Sequence, residues 1–423
     1  MQTSFRVAVV GSGIVGTLTA WRLLQQRHQV TLIERDIEAL CCSTGNAGSI
    51  SASSVAPVGM PGVWKQVPSM LLDPNGALCI DPRYALQIAP WLHAFLKAAS
   101  PARVPAIAQA LHQLSGPAVQ HYQQILGDLH APQLMATMGQ LHVYSSAAAR
   151  NKDAAGWQLR RTHGADVQFL DTHELHALEP DVNPLFTHGV YIHSDGHILN
   201  PQRLLQTLRH AFVQGGGQLE SGHVQRVLPA GSQVQVHTTQ AVRTFDKAVI
   251  AAGAWSSQLS RLLGDDIPLQ TQRGYHAVIA DAGVHIQRPV VAAEAKVFAT
   301  PMEMGLRFAG TVEFTHIDRP ATASRVQALV RHGMRLFPGI PAAAAAQHTQ
   351  WMGHRPCLPD SVPVIDHASA SPHIIYAFGH GHLGLTHAPQ TAHMVQQLLH
   401  THGVPAQWRA FSAQRFARQG AAR

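Results

Sequence analysis

The sequence predicts an α/β protein: a three-layer nucleotide-binding domain assembled from discontinuous segments, joined to an α+β domain with a mixed or antiparallel sheet. Three observations lead there. A complete strand–helix–strand unit opens the chain, an apolar strand ending in small residues recurs at 247–252, and a glycine-rich turn precedes a last helix near Gly384. The intervening stretches alternate helix-period and strand-period sequence, which calls for a second domain built from two inserts. The expected division is 1–80, 195–265 and 350–423 for the nucleotide domain, and 81–194 and 266–349 for the other.

The opening unit carries the most information. Arg6 to Val10 (RVAVV) reads as a strand buried on both faces, and Gly11-Ser12-Gly13-Ile14-Val15-Gly16 follows at once. Val15, Leu18, Trp21, Leu23 and Leu24 then recur at helical spacing, and Gln29 to Glu34 (QVTLIE) is a second, β-branched strand. Parallel strands joined by a helix imply a right-handed crossover. In such a Rossmann-type unit Gly11 allows the tight turn out of the strand. Gly13 lets the backbone approach a pyrophosphate, and Gly16 permits close helix–strand packing. The helix start offers N–H groups and a positive dipole end to the phosphates. Glu34 ends the second strand, where its carboxylate accepts hydrogen bonds from ribose hydroxyls, with Arg35 next to it. A carboxylate there repels a 2′-phosphate. A dinucleotide is therefore expected, but the fingerprint alone does not choose between NAD and FAD.

Further along, Ser43 to Val55 is too rich in Gly and Ser for a regular element, and Tyr84 to Leu129 is patterned as helix. Strands are expected at Gly189–His193, Gln218–Ser221, Gln233–Thr238 and 247–252, with helices at Pro201–Gly215 and Arg325–Leu336. The strand at 247–252 ends in Ala252-Gly253, a small-residue turn that returns to the nucleotide. His380-Gly381-His382-Leu383-Gly384-Leu385-Thr386 forms a second glycine-rich loop before a helix, whose dipole suits the pyrimidine edge of a flavin. A plain strand–helix turn is the competing explanation of that loop.

Composition narrows the class. Net charge is +7, with only five lysines among 31 basic residues, and the longest basic run is Arg160-Arg161. Nucleic-acid binders concentrate such charge on one face, so no nucleic-acid partner is expected. The cysteines Cys41, Cys42, Cys79 and Cys357 contain no C-x-x-C pair, and free thiols fit a reducing compartment. No signal-peptide pattern and no apolar run of about 18 residues is present, so a cytoplasmic protein is expected. Association with the inner face of the membrane is compatible with the basic surface, as is a homo-oligomer or larger complex. Among the 29 histidines, His380, His382 and His387 invite a metal reading. No carboxylate or cysteine joins them at ligand spacing, and no metal is expected.

VAVVGSGIVG…VTLIERD, STGNAGSIS, GHRPCLPDSVPVID and FGHGHLGLTHAP together resemble the D-amino acid dehydrogenase branch of the D-amino acid oxidase-like (DAO) flavoproteins, to which glycine and sarcosine oxidases are related. HRPCLPDSVPVI and GHGHLGLT are also similar to D-hydroxyproline dehydrogenases. The resemblance spans both ends and the strand before Gly253, while the middle matches in layout only. It implies non-covalent FAD, since no His or Cys matches a known covalent flavin link. It implies that Ser43, Thr44, Asn46, Ala47, Gly48, Ser49 and Ile50 line the pyrophosphate and flavin. Val224 would meet adenine through its backbone, and His380 to Thr386 would wrap the flavin O2/N1 side. Arg355 would hold the substrate carboxylate through its two-pronged fork. Tyr275, in a glycine–aromatic turn, would contact substrate or simply fill core, and His382 would assist carboxylate binding.

The activity this implies is oxidation of the C–N bond of a D-amino or imino acid (D-hydroxyproline, D-proline or similar) to an imine, by hydride transfer to flavin N5. Electrons would pass to a quinone or other carrier. Two alternatives are an oxygen-using glycine- or sarcosine-type oxidase and a flavin-carrying subunit of a larger amine-oxidising complex.

Overall fold

Strands Arg6–Val10, Gln29–Glu34 and Lys247–Ile250 pair in parallel as the sequence requires, and they form the centre of a six-stranded sheet. We describe residues 4–65, 67 and 76–417 of a computed structural model. From one edge to the other the sheet runs Gln218–Ser221, Gln29–Glu34, Arg6–Val10, Lys247–Ile250, Ser371–Phe378 and Val364–Ala368. Only the last pairing is antiparallel. Successive side chains on a strand face opposite sides. Ala8, Val10, Ala248 and Ile250 accordingly share a core with Val227, Val234 and Phe245 of a three-stranded antiparallel sheet, Val224–Ala230, Gln233–Thr238 and Val242–Phe245. On the other face the opening helix Ile14–Gln25 packs against the helix Gly384–Leu398 and the parallel strands. These three layers make one compact unit, comprising residues 1–44, 202–270 and 355–423.

The second unit comprises residues 45–201 and 271–354. Its main sheet is mixed and nine-stranded, with the long strands Gln270–Ile279 and Gly305–Phe314 antiparallel to each other. Phe308, Leu329, Phe337 and Tyr275 lie in its core. The stretch patterned as helix resolves into Ala85–Ala98, Val104–Ser115 and Ala118–Asp128. The division differs from the sequence-based one chiefly at residues 45–80, which cluster with this unit, as do 195–201 and 350–354, while 266–270 belong to the first. The cause is strand pairing: Ser49–Ile50 pairs with Gly196–Ile198, which pairs in turn with Met135–Ala136, and Leu78–Ile80 pairs with Gly305–Phe314. Among the described residues, no helix is long and apolar enough to cross a membrane.

Candidate active site

In the first unit the glycine loop has the shape its sequence requires. Gly11 adopts φ +100°, and a Cβ there would lie 2.5 Å from the Ala251 carbonyl oxygen. A Cβ on Gly16 would lie 1.8 Å from the Gly11 carbonyl oxygen, so the helix presses directly on the loop. Ile14 N–H, at the helix start next to Val15, donates to Ser43 Oγ at 2.9 Å. Ser43 thus stands where an anion at this helix terminus would be received, with buried Thr44 after it. Glu34 accepts Ser12 N–H at 2.7 Å and Arg35 N–H at 2.8 Å. The Arg35 guanidinium covers the Trp255 ring, 4.6 Å from its centroid. Gly253 has φ +55° with open space where a Cβ would be, just after Ala252. Val224 is buried beside a register shift in its strand pair. These features fit the ADP half of FAD: a glycine cradle, donors at a helix start, and a carboxylate at the strand end.

The same unit contains the flavin-edge loop. Gly379 (φ +90°) and Gly381 (φ +56°) turn the chain, and Gly381 N–H donates to the Pro356 carbonyl at 2.8 Å. That bond ties the loop from His380 to Gly384 to the residue after Arg355, and the helix follows with Leu385 and Thr386 buried in its first turn. His380 is buried, 2.9 Å from Thr391 Oγ1, and burial pushes its imidazole down to about 3. Arg355 is half-buried on the strand Thr349–Cys357. Burial lowers its guanidinium somewhat while the Cys42 and Cys357 thiols raise it, and burial pushes both thiols up to about 12. His382 is lowered first by the protein around it and second by the Arg355 cation. The fold therefore brings Arg355 and His382 within electrostatic reach of each other.

The remaining sequence-derived residues lie in the second unit. Asn46 Oδ1 accepts Gly48 N–H at 2.8 Å, which shapes the turn through Ala47. Gly48 has φ +78°, and Ile50 is fully buried. Ser49 Oγ donates to Gln140 Oε1 at 2.7 Å, and Gln140 Nε2 lies 2.9 Å from His142 Nε2. Tyr275 is 1% exposed, with its hydroxyl donating to Glu313 and accepting Thr322 N–H at 3.1 Å. That geometry suits the core-filling role, because both hydrogen-bonding functions of the phenol are engaged within the unit.

Sequence reasoning missed several neighbours. Arg209 reaches the glycine loop, hydrogen-bonding Ser12. Trp351 stacks on His276 at 5.1 Å and covers Gly45, where a Cβ would meet its ring at 2.3 Å. His276 Nδ1 donates to the Gly45 carbonyl at 3.0 Å, and burial pushes its imidazole down to about 4. Trp351, an aromatic two residues before Gly353, is the one of these that the sequence displays beside a motif.

The FAD dependent oxidoreductase (DAO) family model matches residues 6–398. A D-amino-acid oxidase of Bradyrhizobium diazoefficiens is 35% identical over 404 residues, covering 94% of this chain and 96% of that protein. A D-amino acid dehydrogenase of Dechloromonas aromatica is 27% identical over 406 residues, covering 93% and 96%. Among solved structures, glycine oxidase from Geobacillus kaustophilus superposes with a TM-score of 0.70 at 21% identity, covering 98% of this chain and 99% of that one. The FAD-bound L-alpha-glycerophosphate oxidase of Mycoplasma pneumoniae has the same fold, with a TM-score of 0.70 at 20% identity, covering 95% and 96%. A cradle that fits FAD, a family match over nearly the whole chain and these relatives converge: the chain belongs to the DAO family of FAD-dependent oxidoreductases and is an enzyme acting on amino donors.

Proposed function

We propose that the chain oxidises the C–N bond of a D-amino or D-imino acid, with Arg355 holding the substrate carboxylate. The observation that carries this reading is Arg355 itself. It is half-buried beside His382, on the strand whose next residue anchors the flavin-edge loop. An arginine fork fixes a carboxylate in two places and so orients the α-carbon behind it. Bound FAD supplies the hydride acceptor. Once the amine is neutral the chain needs no further acid or base for that step, in keeping with the absence of a conspicuous catalytic dyad among the residues assigned here. The imine product hydrolyses in water. Non-covalent FAD, a proline-like substrate and electron transfer to a quinone or carrier complete the reading.

A panel of D-proline, cis-4-hydroxy-D-proline, D-alanine, D-phenylalanine, glycine and sarcosine, mixed anaerobically with the yellow protein, tests it. D-amino acids are expected to bleach the flavin, the proline-like ones fastest; bleaching by glycine or sarcosine alone would overturn it. Arg355→Ala is expected to weaken substrate binding by about 2–5 kcal/mol, the scale for removing one partner of a buried charge pair. An unchanged KM would reassign Arg355. The 35% identity to a protein named an oxidase favours a second reading, in which oxygen is the acceptor. Stoichiometric peroxide under air would select it.

A further inference from the structure

Arg209 lies on the helix Pro201–Gln214, outside every motif that marks the nucleotide site. This helix leads into Gln218–Ser221, which pairs with Gln29–Glu34, and so the topology delivers the helix beside the glycine loop. The Arg209 guanidinium joins two separate loops of the unit's first segment, residues 1–44. One terminal nitrogen donates to the Ser12 carbonyl at 2.7 Å and to Ser12 Oγ at 2.6 Å. The other donates to the Ile37 carbonyl, three residues beyond Glu34, at 2.9 Å. Ser12 then passes its own N–H and hydroxyl to Glu34 Oε2, at 2.7 and 3.1 Å. Its carbonyl also accepts the Thr17 hydroxyl at 2.9 Å.

We propose that Arg209 is a positioning residue for the adenosine diphosphate half of FAD. It grips the far side of Ser12, so that the near side of the loop and the Glu34 carboxylate stay fixed for the ribose and pyrophosphate. The inference rests on the glycine loop and Glu34 holding that half of the cofactor. Three acceptors on two loops need a planar fork with several N–H groups. A lysine ammonium, a compact charge on a flexible stem, does not reproduce that span. The cation also offsets the Glu34 charge close to where phosphates bind.

The test uses the full-length apoprotein and three probes: FAD, ADP as a competitor, and riboflavin, which lacks the ADP half. Arg209→Met is expected to weaken FAD and ADP by a similar factor of about tenfold, the size of one charge-assisted hydrogen bond, with riboflavin unaffected. Arg209→Lys is expected to recover little of that loss. An unchanged FAD dissociation constant in Arg209→Met overturns the proposal, and so does riboflavin weakened as much as ADP, which marks a general loss of structure. Ser12→Ala covers the case in which Arg209→Met does not fold, since it leaves the helix intact and removes only the hydroxyl between Arg209 and Glu34. It is expected to weaken ADP severalfold without affecting riboflavin, and equal ADP affinity in that variant also overturns the proposal. If Glu34→Gln leaves ADP binding unchanged, the underlying reading of the loop fails instead.

Discussion

Arg355 and His382 sit close enough for the cation to act on the imidazole. The surrounding protein and the Arg355 cation lower the imidazole below its ordinary value of 6.5, so His382 is neutral at pH 7 and stays largely neutral somewhat below 6.5. Carboxylate binding should then draw its charge from Arg355 alone. The affinity of a small carboxylate such as benzoate, read from the flavin spectrum, is expected to be flat between about pH 6 and 8 and to match that of His382→Gln. Tightening below pH 6.5 in the wild type but not in the variant would show that the ring does charge in this range. Asp195 titrates in the opposite sense. It is 1% exposed, and burial raises its carboxyl to about 6 despite hydrogen bonds from Ser53 N–H and Oγ at 3.0 and 2.9 Å. The folded state therefore holds the proton more tightly than the unfolded state. That contribution is full below about 3.8 and is lost as pH rises through about 6. Asp195→Asn removes the titration, and its melting temperature is expected to gain a few degrees on the wild type between pH 4 and 7. A constant difference across that range would count against it.

At the scale of elements, glycines that look alike in sequence carry different loads. Gly16→Ala drives a Cβ to 1.8 Å from the Gly11 carbonyl oxygen, so the helix must move off the loop. Gly231→Ala, in the turn between Val224–Ala230 and Gln233–Thr238, meets nothing within 4 Å and bears only the strain of φ +63°, about 1–2 kcal/mol. Gly16→Ala is expected to emerge without bound flavin, and Gly231→Ala to keep it with a modest fall in melting temperature; equal flavin retention in the two would refute the distinction. The same contrast explains how much was legible in advance. The opening unit could be read because its strands, helix period, glycines and terminal acid all lie within one short stretch and depend on local geometry. Arg209 could not be read, because its partner Ser12 is 197 positions away and nothing about a helical arginine announces it. His276 and Gly45 are separated by 231 positions and were equally silent. The assignment of residues 45–80 failed for the same reason: two short strands choose their partners by tertiary pairing, and the Gly- and Ser-rich sequence around Ser49 records no preference.

Taken whole, the chain separates a motif from the fold that makes the motif work. The entire fingerprint, from Gly11 to Glu34, lies in the first of three segments that compose its unit. Its opening helix is buried against Gly384–Leu398, from the third segment. Strand Lys247–Ile250, next to Arg6–Val10, has its other edge covered by Ser371–Phe378, also from the third. Without residues 355–423 that edge would expose unpaired backbone groups, and the opening helix would lose the helix packed beside it, with the Arg22 hydrogen bonds to Gln396 and His393. A chain ending at residue 354 keeps every fingerprint residue and still lacks the packing that holds them in register. We expect it to purify colourless and to bind neither FAD nor ADP, whereas the full-length apoprotein binds both. Fluorescence titration decides the matter: ADP affinity in the shortened chain within tenfold of the full-length value would mean that the motif suffices without the fold.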